Sequence, residues 1–141
     1  MTLYLDTSLL VAGATMEARG DDVRAWLAER GSDPLATSLW VEAEFSSALS
    51  VKLRSGKINA AQRAAARTFY RRLVIDSFVL LPISDEHFHR AARLADQTTF
   101  GLRAGDALHL AIAADHGAAL CTLDRRLAEA GPPLAIETVL V

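Results

Sequence analysis

The stretch Leu3-Tyr4-Leu5-Asp6, near the start of the chain, joins a short apolar run directly to a carboxylate. A run of this kind predicts a short strand, and Asp6 then falls at the carboxyl end of that strand. No basic residue lies close enough in sequence to be its local partner. A buried carboxylate is costly unless it is paired or binds a metal, so Asp6 is the first candidate for a functional residue.

The same pattern recurs near the other end of the chain, where the apolar run Ala118–Leu123 is followed by Asp124. In open parallel sheets, ligands bind outside the carboxyl ends of the strands, so we expect Asp6 and Asp124 to project into one crevice. Glu44 and Asp106 are two further carboxylates, and they lie in helix-like segments rich in Ala, Leu and Val. If the fold gathers these four residues, their repulsion requires a bound cation, which is typical of a metal site with oxygen ligands.

Strand and helix signals alternate along the chain, and this alternation predicts an α/β fold with a largely parallel sheet. Phe78–Leu81 is interpreted as a buried strand closed by Pro82, and Gly117 is expected to end a helix. No repeat or linker interrupts the pattern, so residues 1–141 are predicted to form one domain. The predicted strands are 3–5, 34–37, 78–81, 118–122 and 135–141. The predicted helices are one that has an acidic first turn and ends with 25–30 before Gly31, 38–54, one from Asn59 towards Val74, one that starts at 84–86, and 104–116.

The composition is that of a folded globular protein, because 51% of the 141 residues are hydrophobic and 23% are charged, which excludes a disordered chain. No apolar stretch approaches the roughly 20 residues that span a bilayer. No basic segment precedes Leu3, so no signal peptide is expected. The single cysteine, Cys121, cannot form an internal disulfide and is interpreted as a core residue, which favours a cytoplasmic protein. The four histidines have no cysteine companions, so a structural zinc site is not expected.

The net charge of −2 conceals an uneven distribution of charge. No acidic residue lies between Glu44 and Asp76, and this interval contains seven basic residues. Within it, Arg63, Arg67 and Arg71 lie along one helix face, because they are spaced at i, i+4 and i+8. Such a stripe is either an ordinary solvated face or a surface for a polyanion, and the absence of acidic partners favours the polyanion. The seven residues are Lys52, Arg54, Lys57, Arg63, Arg67, Arg71 and Arg72.

Each candidate residue also has a plainer explanation. Asp124 would serve as the N-cap of a short helix that follows it, and Asp106 would interact with the macrodipole of the helix that it begins. Glu44 alone would be a solvated helix residue, and periodicity does not select it over Glu42, since residues i and i+2 do not share a helix face. His109, one turn after Asp106, is either a general base or, as we favour, a buried histidine with satisfied hydrogen bonds.

Four segments are most informative when they are taken together and in chain order. They are Tyr4-Leu5-Asp6-Thr7-Ser8, Val41-Glu42-Ala43-Glu44-Phe45, Leu102–Ala111 and Cys121–Arg126. In these segments the chain resembles the PIN-domain ribonucleases, and most of all the VapC-type toxins of bacterial toxin–antitoxin pairs. The turn Arg54–Ile58 resembles the family's turn between its third and fourth helices, so the resemblance covers essentially the whole chain. Leu127 departs from the family, in which many members have an aromatic residue after the basic one.

The resemblance implies a three-layer α/β/α fold around a mainly parallel sheet of about five strands, and it favours Glu44 over Glu42. It also implies hydrolysis of RNA with Mg²⁺ or Mn²⁺, in which Asp6, Asp106 and Asp124 hold the metal directly or through water. Glu44 would then bind a second ion or orient the attacking water.

The remaining site residues are expected around these carboxylates. Hydrogen bonds that fix the carboxylates are expected from Thr7, Ser8 and Thr122. Arg103 is either a residue that pairs with a carboxylate or contacts phosphate, or an ordinary surface arginine. The stripe of Arg63, Arg67 and Arg71 is expected to face RNA phosphates.

The resemblance also implies a homodimer and a cognate antitoxin that inhibits the enzyme, with an antitoxin arginine near the acidic cluster. Two other functions stay open. The first is a PIN-fold RNA-binding or regulatory module with little catalysis, which the concentration of like charges disfavours. The second is a phosphoryl-transferring enzyme with Asp6 as its nucleophile. Ser8 disfavours this, because the haloacid dehalogenase motif would have a second Asp there.

Overall fold

The computed structural model describes residues 1–141 as a parallel sheet of five strands flanked by helices. The strands are β1 (Leu3–Leu5), β2 (Leu35–Thr37), β3 (Phe78–Leu80), β4 (Ala119–Thr122) and β5 (Thr138–Leu140). The helices are α1 (Thr7–Ala14), α2 (Gly20–Glu29), α3 (Leu39–Arg54), α4 (Ala60–Ser77), α5 (Asp85–Ala95), α6 (Ala104–Asp115) and α7 (Arg125–Ala130). The expected three-layer α/β/α fold with a central parallel sheet is confirmed.

The order of strands in the sheet is β3-β2-β1-β4-β5, and every neighbouring pair is parallel. β1 is central and lies between β2 and β4. In the β1–β4 pair, Leu5 is opposite Cys121, and the backbone N–H of Asp6 donates to the carbonyl of Cys121 at 3.1 Å. The carboxyl ends of β1 and β4 therefore lie at the same edge of the sheet, and the residues that follow them face a common space.

The helices form two groups. α1 packs against α2, α3 and α4, whereas α5 packs mainly against α6. The sequence analysis missed α1, although it contains five consecutive buried residues, Leu9–Gly13. A helix that is surrounded by other elements has no polar face, so it lacks the periodicity by which an amphipathic helix is recognised.

Local signals predicted the boundaries of other helices more accurately. Asn59 caps α4 through two reciprocal hydrogen bonds with Gln62, each of 2.8 Å. Gly117 has a φ of +59° just beyond α6, in the left-handed region that glycine tolerates without a steric penalty. α2 begins at Gly20 and ends at Glu29, so its first turn contains the two acidic residues that were expected to precede the helical segment Ala25–Arg30.

β3 is an edge strand, so the prediction of a buried strand at Phe78–Leu81 was wrong. It pairs only with β2, and Val79 and Leu80 are 59% and 46% exposed. A short apolar run has the same appearance in a central strand and in an edge strand, because its neighbours in the sheet come from distant segments.

β5 is shorter than the predicted strand over 135–141. Pro132–Leu134 form a 3₁₀ turn, and Ala135 has a φ of +57°, which no strand residue adopts. The strand therefore starts only at Thr138.

The hydrophobic core is centred on β1 and β4, where Tyr4, Leu5, Leu120 and Cys121 are fully buried. Burial raises the pKa of the Cys121 thiol to about 12, so this cysteine is an inert core residue. None of the helices combines the length and the apolar character that a membrane span requires.

Two leucine substitutions test the contrast between the central and the edge strand. Leu120→Ala is expected to lower the free energy of unfolding by about 2–5 kcal/mol, because it leaves a cavity in the core. Leu80→Ala removes the same atoms from a half-exposed position and should cost less than about 1 kcal/mol. Urea unfolding of both variants measures the difference, and equal losses would contradict the exposed position of β3.

Candidate active site

Asp6 directly follows β1 and is almost fully buried, with 4% of its surface exposed. It is the N-cap of α1, and its Oδ1 accepts hydrogen bonds from Ser8 Oγ at 2.6 Å and from the Leu9 backbone N–H at 3.3 Å. Its Oδ2 accepts a hydrogen bond from Thr122 Oγ1 at 2.5 Å. The parallel register places Thr122 beside Asp6, one residue beyond the pair of Leu5 and Cys121. Two of the three residues predicted to fix a carboxylate thus contact Asp6.

Burial dominates the electrostatics of Asp6 and raises the pKa of its carboxyl group. The electrostatic influence of the nearby His109 and the hydrogen bonds from Ser8, Thr122 and Leu9 oppose this rise without cancelling it. No lysine or arginine forms an ion pair with Asp6. The ionised Asp6 side chain is therefore stabilised by hydrogen-bond donors, but no lysine or arginine contacts it to balance its negative charge.

Asp124 follows β4 by one intervening residue and caps α7. Its Oδ1 accepts hydrogen bonds from the backbone N–H groups of Arg126 at 2.9 Å and Leu127 at 3.2 Å. The backbone N–H of Asp124 donates to Thr122 Oγ1 at 3.0 Å, which is the hydroxyl that also holds Asp6. Asp124 is thus an N-cap, as its plainer explanation proposed. This role occupies Oδ1 and leaves Oδ2 without a protein partner.

Glu44 projects from α3 towards the same region, whereas Glu42 is exposed. Its Oε1 accepts hydrogen bonds from Thr7 Oγ1 at 2.7 Å and from His109 Nε2 at 2.6 Å. Partial burial by itself would raise the pKa of Glu44, but the hydrogen bond and electrostatic attraction of His109, together with the Thr7 hydroxyl, bring this pKa below its ordinary value. Glu44 is therefore an ionised carboxylate at neutral pH.

Asp106 lies in the first turn of α6, and its carboxylate accepts a hydrogen bond from the backbone N–H of Arg103 at 3.3 Å. Together with Asp124 it lines a cleft of about 380 Å³, whose other two residues are Arg103 and Arg126. Neither arginine forms an ion pair with a carboxylate in the structure. The cleft is thus lined only by charged side chains that remain available to a ligand.

Gly105 is a site residue that the sequence analysis missed. A Cβ atom at this position would lie 2.9 Å from Glu44 Oε2 and 3.7 Å from Trp40 Nε1. Any larger residue here would therefore displace the Glu44 carboxylate from its observed position. The available signal was the presence of glycine inside a helix, where it costs up to about 1 kcal/mol relative to alanine and so indicates a close approach.

The donor set of the cleft fits a hard divalent cation that retains water. The donors are carboxylate oxygens, and no three of the carboxylates bring their oxygens within 4.8 Å of one another. Mg²⁺ is commonly bound through only one or two carboxylates and keeps several waters, so this spacing is compatible with it. A thiolate-seeking metal has no ligand here, because Cys121 is buried in the core.

A second group of metal-ligand types, His87, Asp115 and His116, lies closer together, with ligand atoms within 4.8 Å. His87 belongs to the cap of α5, since the backbone N–H of Ser84 donates to its Nδ1 at 2.9 Å. The ring proton is therefore on Nε2, which donates to Asp115 Oδ2 at 3.0 Å. A protonated nitrogen offers no lone pair to a metal, so hydrogen bonding accounts for this group.

The predicted basic stripe lies on α4. Arg67 and Arg71 are exposed and Arg63 is half-buried, and none of the three forms an ion pair. The basic block as a whole is not free of partners, because Lys52 pairs with Glu17 at 2.6 Å. The stripe is thus an uncompensated positive surface on a helix that packs against both α1 and α3.

Comparisons with known proteins agree with this architecture. The family model of the PIN domain matches residues 3–131. The chain is similar to PAE2754 from Pyrobaculum aerophilum, with 26% identity, 92% of this chain and 87% of that chain covered, and a TM-score of 0.66. No curated protein matches in sequence.

Two further structures share the fold at lower identity. VapC20 from Mycobacterium tuberculosis, described as a toxin that cleaves the sarcin–ricin loop, is 17% identical, with 92% of this chain and 95% of that chain covered and a TM-score of 0.73. VapBC2 from Rickettsia felis, solved with a fragment of promoter DNA, is 15% identical, with 100% and 99% covered and a TM-score of 0.73.

Asp6→Asn is expected to stabilise the metal-free protein by roughly 0.5–2 kcal/mol near pH 7. The folded-state pKa of Asp6 is raised, so its ionised form favours the unfolded chain at neutral pH. This unfavourable contribution disappears as the pH falls through the raised pKa, and the gain from asparagine should shrink accordingly. Urea unfolding of the wild type and of Asp6→Asn at several pH values measures this difference in the free energy of unfolding. The exposed Asp96→Asn is the matched control and should change nothing; a loss of stability in Asp6→Asn at neutral pH would contradict the argument.

Proposed function

Because this chain belongs to the PIN-domain family, we propose that it is a metal-dependent endoribonuclease that hydrolyses RNA phosphodiester bonds and is inhibited by a cognate antitoxin. The observation that carries the proposal is the unbalanced negative charge at one edge of the sheet. Asp6, Asp106 and Asp124 have no lysine or arginine partner, although Asp6 is buried. A protein that only bound RNA would gain nothing from carboxylates at its binding surface, since they repel phosphate.

In this proposal Asp6, Asp106 and Asp124 hold one divalent ion, Mg²⁺ or Mn²⁺, directly or through its waters. When bound, such an ion lowers the pKa of an attacking water and stabilises the negative charge that develops on the phosphate oxygens. Ser8 and Thr122 keep Asp6 oriented through their hydroxyl groups. Asp124 is oriented in the same way by the backbone N–H groups of α7.

Glu44 either accepts a proton from the attacking water or binds a second ion. Its lowered pKa supports both roles, because each requires an ionised carboxylate at neutral pH. Arg103 and Arg126 line the cleft and are suited to contact the phosphate that is cut. The stripe of Arg63, Arg67 and Arg71 would contact the RNA backbone farther from the cleft.

The toxin–antitoxin part of the proposal rests on the structural neighbours. VapC20 and the VapBC2 complex share the fold of this chain along nearly its whole length. A cognate antitoxin belongs to the proposal for this reason. The proposal also includes a homodimer, which the family resemblance implies, and a cytoplasmic location, which the single buried cysteine favours.

The decisive experiment incubates the purified protein with total cellular RNA, with and without Mg²⁺ or Mn²⁺. We expect discrete fragments that require the metal, and Asp6→Asn should cleave at least about 100-fold more slowly because it weakens the hold on the ion. Since this variant is expected to be no less stable than the wild type, lost activity would not reflect unfolding. RNA binding without cleavage by the wild type would favour the binding module instead, and a covalent phosphate on Asp6 would favour phosphoryl transfer.

The double variant Arg67→Glu/Arg71→Glu tests the basic stripe, in an Asp6→Asn background that prevents cleavage. Loss of two phosphate contacts should weaken RNA binding and reduce the slope of log K against log salt by about 1.4. Arg90→Glu/Arg93→Glu on α5 changes the net charge equally and is the matched control. Fluorescence anisotropy over a salt series measures both, and an unchanged slope in the α4 variant would remove the stripe from the RNA surface.

A further inference from the structure

A continuous chain of side-chain hydrogen bonds lies beneath the cleft and ends at Glu44. His109 Nε2 is 2.6 Å from Glu44 Oε1, and His109 Nδ1 is 3.0 Å from the hydroxyl of Tyr4. The Tyr4 hydroxyl is in turn 2.8 Å from Ser38 Oγ. Tyr4, Ser38 and His109 are buried, with at most 3% of their surfaces exposed. Tyr4 lies in β1, Ser38 is the N-cap of α3 and His109 lies in α6, so the chain links β1 and α6 to α3.

The donor at the Glu44 end of this chain follows from chemistry. Glu44 is ionised and only accepts, so His109 Nε2 carries a proton and donates. Burial raises the pKa of Tyr4, so its phenol stays protonated, and its hydroxyl is within hydrogen-bond distance of both His109 Nδ1 and Ser38 Oγ. Every hydroxyl and ring nitrogen in the chain therefore has a partner. The arrangement is fully satisfied, which is the condition for a buried polar network to specify one geometry.

The two oxygens of Glu44 are consequently in different environments. Oε1 receives both hydrogen bonds, from Thr7 and from His109. Oε2 receives no hydrogen bond from the protein. It lies beside Gly105, in space that a Cβ atom at position 105 would occupy. A glutamate has three rotatable bonds, and an exposed one would sample many positions. Here one oxygen is anchored and the other is left free.

We propose that His109 is a positioning residue, which anchors Oε1 of Glu44 so that Oε2 is presented to the reacting water or ion, and that Tyr4 in turn holds the His109 ring. This inference rests on the proposed nuclease function for its kinetic consequences. His109 itself is not placed to touch substrate, because its ring is covered and both of its nitrogens are engaged within the protein.

Two substitutions of His109 separate positioning from packing. His109→Phe fills a similar volume but cannot donate, so kcat for RNA cleavage is expected to fall roughly 10- to 100-fold with little change in KM. His109→Gln retains an N–H at a comparable distance along the side chain and should recover most of the activity. Tyr4→Phe, which only releases the ring, should have a smaller effect. His89→Phe, an exposed histidine on α5, is the control and should leave kcat unchanged.

A double-mutant cycle with Glu44→Ala shows whether His109 acts through Glu44. If it does, His109→Phe should lower kcat in the wild-type background and have almost no further effect once Glu44 is absent. An equal loss in both backgrounds would overturn the proposal, because His109 would then act on the fold or on another group. A rise in KM alone would overturn it as well.

The carboxyl ¹³C signal of Glu44 in the metal-free protein gives a readout that does not depend on catalysis. It is identified by its absence in Glu44→Gln. We expect the signal to shift in His109→Phe and to return towards its original position in His109→Gln. An unchanged signal in His109→Phe would exclude positioning. A wild type that cleaves no RNA but shows this shift would contradict the proposed function while leaving the anchoring of Glu44 intact.

Discussion

The parallel pairing of β1 with β4 is the constraint on which the rest of the site depends. Because Leu5 lies opposite Cys121, the next residue of each strand is brought to the same level, and Asp6 meets the hydroxyl of Thr122. The same hydroxyl accepts from the backbone of Asp124. A slip of one residue in this pair would turn the side chains of one strand to the other face of the sheet and separate the two aspartates. Burial of Tyr4, Leu5, Leu120 and Cys121 fixes this register, so the hydrophobic core also sets the geometry of the carboxylates.

The carboxylates serve the fold and the site together. Asp6 begins α1 and Asp124 begins α7. Each uses its Oδ1 atom to accept hydrogen bonds from backbone N–H groups at the helix start. A serine or asparagine would cap α1 without introducing a buried charge, whereas Asp124 at the start of α7 is exposed. The choice of aspartate at Asp6 therefore costs stability that a neutral residue would not, which is the usual sign of a residue retained for function. Glu44 differs, because it caps nothing and is held only by side chains.

The sequence predicted the parts of the site that depend on local pattern. Asp6 and Asp124 stand out because each follows a short apolar run, and Asp106 is found at a helix start. Glu44 could not be separated from Glu42 by periodicity, since its distinguishing contact is His109, which lies 65 positions away in the chain. The resemblance to a family selected it instead. α1 was missed for a related reason: its apolar surroundings come from three other helices. β3 was predicted to be a buried strand because its own sequence does not show its place in the sheet. That place depends on pairing with segments that are distant in the chain.

The double role of the two capping aspartates also bears on how such a protein is controlled. Their side chains reach their positions at the moment that α1 and α7 begin, so folding and assembly of the cleft are a single event. A conformation in which both helices are formed but these two carboxylates are displaced would lose both caps and is therefore disfavoured. Moving either carboxylate away from its position would remove the N-cap of α1 or α7 and disturb the pairing of the central strands. For the proposed nuclease, control would therefore act from outside the fold, through the supply of the ion or through a partner that covers the entrance to the cleft.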